Sequence, residues 1–237
     1  MNINLLTSAM KQPTIRRVII TSSMVTLVPF SWLANPDERI YTAKDINSNP
    51  SRTVSSAMEA YWTSKALARS AVSDFVATRN PHFETMQLLP GVVIGPDIRA
   101  TSTAYLRNNT PLWSLKMSPI LGIKLTDPMV SVPVHVADVA RAHVDAIKSS
   151  IPGNAEYTLN IQSLGGVEWD DMIEVAKRHF PGRVGTKEMP LGGSLPSMKW
   201  RVESRDTEKA FGWTFRTFEQ SAKEMIAQYL CLVDEDQ

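Results

Sequence analysis

Apolar and polar positions along this chain divide it into segments of different period. Arg17-Val18-Ile19-Ile20-Thr21 is a short, unbroken β-branched run, which predicts a strand buried on both faces of a parallel sheet. Phe83 to Leu89 predicts a second strand, stopped by Pro90-Gly91. Before the first strand, Ile3, Leu5, Leu6, Ala9 and Met10 recur at helical spacing and predict the end of an amphipathic helix, closed near Pro13. Between the two strands, residues 57–79 read as a helix. Residues 24–56 read as irregular, with Pro29, Pro36 and Pro50 and the polar stretch Asn47-Ser48-Asn49. A loop that long inside a compact domain is usually functional.

After Pro96 the segments shorten. Two helical stretches are expected over 101–117, a strand over 130–135, a helix over 136–148 and a strand over 157–161. Helices are then expected near 168–180, 205–211 and 216–231, with Gly192-Gly193-Ser194-Leu195-Pro196 as a break. Strand, long loop, helix, strand is a βαβ unit, so the fold class is α/β with a parallel sheet. Residues 1–96 are expected to form half of a Rossmann-like domain. Residues 97–237 mainly form a smaller mixed lobe, with segments near 130–161 returning to the sheet.

Composition narrows the function classes. The 237 residues are 43% hydrophobic and 21% charged with a net charge of +1, an ordinary globular balance with no footprint for nucleic acid or an anionic membrane. No apolar run is long enough to cross a bilayer. The single cysteine, Cys231, excludes an internal disulfide and fits a reducing, cytoplasmic setting. Residues 1–36 lack Asp and Glu but carry Lys11, Arg16 and Arg17. Their apolar pattern reads as a helix and a strand of the fold rather than a transit peptide.

The candidate chemistry lies in Tyr61-Trp62-Thr63-Ser64-Lys65 and in Thr21-Ser22-Ser23 at the end of the first strand. Tyr and Lys four apart share one helix face. An ammonium close to a phenol favours the phenolate and suits it to general acid–base work, and a Ser hydroxyl can bind an oxygen on which charge develops. Both predicted strands end on the side where ligands bind in parallel sheets. Other constellations are weaker. His135 and Asp138 lack the G-x-S-x-G elbow of a hydrolase. The four histidines, at 82, 135, 143 and 179, have no metal-ligand spacing, so no metal is expected. Asn108-Asn109-Thr110 is a glycosylation sequon by pattern only.

These residues resemble the extended short-chain dehydrogenase/reductase family, near its dihydroflavonol reductase and fungal aldehyde reductase branch. The resemblance runs through Arg16 to Ser23, Tyr61 to Lys65, Leu89-Pro90-Gly91-Val92-Val93-Ile94-Gly95-Pro96, Val134 to His143 and Phe211-Gly212-Trp213. It implies an NAD(P)-dependent reduction of a small ketone or aldehyde. In that reaction Tyr61 protonates the substrate oxygen, Lys65 holds the nicotinamide ribose and tunes Tyr61, and Ser23 (or Ser22) orients the carbonyl. Pro90 and Val93 would line the nicotinamide site. Epimerase or dehydratase chemistry is the enzyme alternative, and a catalytically inactive binding partner the other.

One family feature has no counterpart. The Gly-rich turn that cradles a cofactor pyrophosphate is missing, since no glycine precedes Gly91. By analogy, the family's first strands would lie before Met1, which makes this a truncated, partial Rossmann-like sheet. The 17–21 strand then has one unpaired edge, open to a second copy or another chain.

Overall fold

The computed structural model of the chain describes residues 2–161, 164 and 166–236. Helix α1 (Asn2–Met10) leads into strand β1 (Arg17–Thr21). Two 3-10 turns, Met24–Leu27 and Phe30–Ala34, break up the long loop before helix α2 (Ala57–Arg79). Local chemistry sets both ends of α2. The Ser56 hydroxyl accepts from Glu59 N, the Glu59 carboxylate accepts from Ser55, and Asn80 leaves the helix at φ 41°. Strand β2 (Glu84–Pro90) follows, and the order β1-β2-β6, with β6 (Ala155–Leu159), makes a three-stranded parallel sheet.

Side chains alternate across β1. Val18 and Ile20 pack with Leu6, Val72 and Phe75 of α1 and α2. Ile19 packs with Met86, Ala142 and Phe211 on the other face. The strand is half-buried, and Thr21 is exposed, which corrects the expectation of full burial. The run reads as central, but its place at the sheet edge leaves one side uncovered. The bonds Glu84 N to Arg16 O and Ser22 N to Leu88 O show that even-numbered residues face β2. The parallel ladder therefore directs the N–H and C=O groups of Arg17 and Ile19 to the open side.

At Gly91 the chain changes partners. Its N–H still bonds Leu159 O, whereas Val92 N bonds Val132 O, and strand β3 (Val92–Ile94) pairs with β5 (Pro133–His135). A Cβ at Gly91 would stand 2.0 Å from the Val132 carbonyl oxygen, so only glycine allows this approach. Helices α3 (Thr103–Asn109), α4 (Trp113–Lys116) and α5 (Ser118–Leu121) come next. The single strand expected over 130–135 is two strands. Strand β4 (Met129–Val130) pairs with β7 (Ser197–Met198), and β5 pairs with β3. Ser131 N still bonds Met198 O while Val132 O already serves Val92, so the chain passes from one neighbour to the next within two residues.

Helix α6 (Val136–Asp145) stops before Lys148, and β6 begins two residues earlier than its apolar run suggests. Helices α7 (Asp171–His179), α8 (Arg205–Phe211) and α9 (Phe218–Glu235) complete the chain. A reciprocal capping box between Thr217 and Gln220 starts α9. This last helix supplies Met225, Ile226 and Tyr229 to the largest core cluster, against Trp113, Met117 and Trp169.

Candidate active site

Helix α2 and the end of β1 carry the candidate groups. Lys65 reaches across to the strand, where its ammonium donates to Thr21 O at 3.3 Å, and it lies 5.9 Å from the centroid of the Tyr61 ring. Tyr61 is 43% exposed, and its hydroxyl is engaged by none of the described residues. Thr21 is held from the other face as well, with its hydroxyl 2.7 Å from His143 Nε2. His143 Nδ1 lies 2.7 Å from Val139 O. A carbonyl only accepts, so Nδ1 carries a proton.

Ser22 and Ser23 are both buried, yet they are used differently. Ser22 donates its backbone N–H to Leu88 O and borders, with Thr21 and Lys65, an open cavity of about 410 Å³. Ser23 caps the first 3-10 turn, its Oγ accepting from Val25 N at 3.3 Å. A hydroxyl that accepts from an amide keeps its own proton to donate. Pro90 is the buried last residue of β2, and Val93 in β3 is 37% exposed with its carbonyl accepting from Lys116 Nζ at 3.1 Å. The structure thus brings Lys65, Thr21 and Ser22 to one strand end, with Tyr61 one turn away on α2. Ser23 is the next residue of the chain, and Pro90 ends the neighbouring strand.

Sequence reading missed a buried polar cluster beneath this end. Arg69, 1% exposed, uses both sides of its guanidinium. Its Nε and one terminal nitrogen bond the Glu156 carboxylate on β6, and the same terminal nitrogen reaches Ala43 O. The other terminal nitrogen donates to Thr26 Oγ1 and to Asp45 O, each at 2.9 Å. Gln87 Nε2 adds a 2.6 Å bond to Glu156. The one sequence signal was an arginine eight residues after Tyr61, set among Ala66, Val72 and Phe75 on a buried face.

The hydrolase-like pair is engaged elsewhere. Asp138 accepts from the backbone N–H and the guanidinium of Arg216. His135 Nδ1 accepts from Ala137 N, and burial holds the imidazole below its ordinary pKa. Among the described residues no cluster of His, Cys, Asp or Glu could hold a metal ion, and no helix is long and apolar enough to cross a membrane.

A parallel sheet covered by helices on both faces, with Ser, Tyr and Lys near the carboxyl end of a strand, defines a Rossmann-like α/β protein. No family model matches the chain. It is 30% identical over 239 residues to the Ketoreductase CTB6 of Cercospora nicotianae, an alignment that covers 100% of this chain and 67% of that protein. The Putative NADPH-dependent methylglyoxal reductase GRP2 of Candida albicans is 26% identical, with 92% of this chain and 64% of that protein covered. Gre2 from Candida albicans, solved in complex with NADPH, shares the fold with a TM-score of 0.76 at 22% identity, over 98% of this chain and 69% of that one. Vestitone reductase from alfalfa does so with a TM-score of 0.68 at 21% identity, over 100% of this chain and 71% of that one. The chain belongs to the extended short-chain dehydrogenase/reductase family, among its ketoreductase and epimerase/dehydratase members. It spans about two thirds of the length of these relatives.

Proposed function

We propose that this chain carries the catalytic half of an NAD(P)-dependent carbonyl reductase acting on a small ketone or aldehyde. The observation that carries this reading is the Lys65 ammonium against Thr21 O, with the exposed, unengaged Tyr61 hydroxyl one helical turn away. The relatives named as ketoreductases and as an NADPH-dependent reductase support the same chemistry.

Tyr61 donates the proton to the substrate oxygen as negative charge develops there. Ser23 donates its spare hydroxyl hydrogen to the same oxygen, which fixes the carbonyl in place. Lys65, already at the strand end, stabilises the phenolate that remains. A nicotinamide cofactor would supply the hydride. Its ribose suits Lys65 and Tyr61, and Pro90 and Val93 would flank its ring. The residues present fit that part of the cofactor, because the Lys65 ammonium borders open space at a strand end and an exposed phenol lies one helical turn away. Its pyrophosphate has no Gly-rich turn in this sequence to receive it, because the first glycine is Gly91. The open side of β1, flanked by exposed Ile3 and Leu5 on α1 and by Val144 on α6 with Ile147 in the turn after it, is where a further parallel strand would complete such a site. This chain alone is therefore expected to bind the cofactor weakly.

The test is carbonyl-dependent NADPH oxidation by the purified chain, beside a fluorescence titration with NADPH and NADH. Tyr61→Phe should lower turnover by roughly 10²-fold or more with the melting temperature unchanged. Equal turnover by the variant would remove Tyr61 from the mechanism. Substrate epimerisation without net NADPH loss would shift the reading to an epimerase.

A further inference from the structure

The reductase reading leaves one part of the geometry unused, the link between α2 and the backbone of Ser23. Thr26, 0% exposed, donates its hydroxyl to Ser23 O at 2.8 Å and its backbone N–H to the same oxygen at 3.2 Å. The same hydroxyl accepts from the Arg69 guanidinium at 2.9 Å. A continuous relay therefore runs from Arg69 through Thr26 to the Ser23 peptide. Tyr61, Lys65 and Arg69 stand at i, i+4 and i+8 of α2, on one stripe of the helix.

We propose that Arg69 and Thr26 are positioning residues for Ser23, registering the strand end that carries it against the helix that carries Tyr61 and Lys65; this rests on the carbonyl-reductase reading. The chemistry favours a rigid link. A charged donor polarises the Thr26 hydroxyl, which strengthens the bond that hydroxyl makes in turn. The guanidinium is anchored independently on Glu156 of β6, so the relay is referred to the sheet as well as to the helix. Its remaining donors close the loop after Ser23 by bonding Ala43 O and Asp45 O. That loop is clamped in turn to the C-terminal segment, through Tyr41 N to Arg201 O and Glu203 N to Tyr41 O. Ser23, the Tyr–Lys helix and the loop beside them thus share one fixed reference.

Two substitutions at Thr26 separate positioning from packing. Thr26→Val keeps the volume and loses the hydroxyl, whereas Thr26→Ser keeps the hydroxyl and leaves a small void. Positioning predicts that Thr26→Val lowers kcat about threefold to tenfold with the KM for cofactor unchanged, and that Thr26→Ser recovers the rate. A purely structural role predicts that the two variants lose turnover only in proportion to their loss of stability. Hydrogen exchange over residues 22–27 decides the relay without any need for turnover. It should quicken about tenfold in Thr26→Val and in Arg69→Lys, and stay at the wild-type rate in Thr26→Ser. Unchanged exchange in both of the first two variants, or equal kcat in the two Thr26 variants, overturns the proposal. A folded wild-type chain that shows no turnover at all counts against the reductase reading, while the exchange measurement still decides the relay.

Discussion

Two buried cations, Arg69 and Lys116, are handled in opposite ways. Arg69 lies beneath the candidate site with a carboxylate, a hydroxyl and two loop carbonyls around its guanidinium. Lys116, 4% exposed at the end of α4, has the Val93 carbonyl as its hydrogen-bond partner. The first charge is solvated by the protein in place of water. The second is not, and burial alone pushes its pKa down to about 8. A planar fork with five donors can join several elements at once, whereas an ammonium on a flexible stem acts as a point charge. Arg69 therefore organises the fold around it, and Lys116 is a burden that the fold tolerates.

The sharpest way to break this contrast is to remove each charge. Arg69→Met should destabilise the chain by about 3 kcal/mol in urea unfolding, because Glu156 and the loop carbonyls lose their partner. Retained stability would mean that water replaces the guanidinium freely. Lys116→Met should act in the opposite direction, raising stability at pH 7 by about 1–2 kcal/mol once a buried charge gives way to an isosteric apolar chain. A loss of stability there would show that the bond to Val93 outweighs the burial of the charge.

A pH series tests the second case independently. The folded state favours the neutral amine of Lys116, so between about pH 8 and the ordinary lysine value of 10.5 the unfolded chain binds more protons than the folded one. Wild-type stability should rise through that window relative to Lys116→Met, and the advantage of the variant should shrink as it does. A constant difference between pH 7.5 and 10.5 would refute the burial of an uncompensated ammonium. The smallest effect is expected at Glu156. Glu156→Gln keeps one acceptor for Arg69 but loses the charge at a partly exposed position, costing about 1 kcal/mol by the same unfolding measurement.

How much of this was legible beforehand varies by element. Helix α2 was placed residue for residue, and in the structure Ser56, Glu59 and Asn80 fix its ends with local chemistry. Strand β1 was placed by its unbroken apolar run, and β2, expected over 83–89 with Pro90-Gly91 as its stop, runs over 84–90 and takes Pro90 as its last residue. The 130–135 segment was read as one strand, because an apolar run shows that residues are buried but not which neighbour each one bonds. Strand β7 was missed, since a two-residue pairing leaves no period to detect. Tyr61 and Lys65 announced themselves by spacing. Arg69 did not, because an arginine on a helix reads as solvated until its partners are known.

The sequence by itself determined helix α2 and the approximate positions of strands β1 and β2, and it placed a phenol and an ammonium one turn apart on α2, since those features depend on neighbours within a few residues. Only the tertiary structure decided that β1 lies at an edge, that Ser23 spends its lone pair on Val25 while Thr26 grips its carbonyl, and that Arg69 meets Glu156 from 87 residues away. The reason is physical. Local propensity acts over one or two turns, whereas desolvating a charge sets a demand that only distant groups, brought together by folding, can meet.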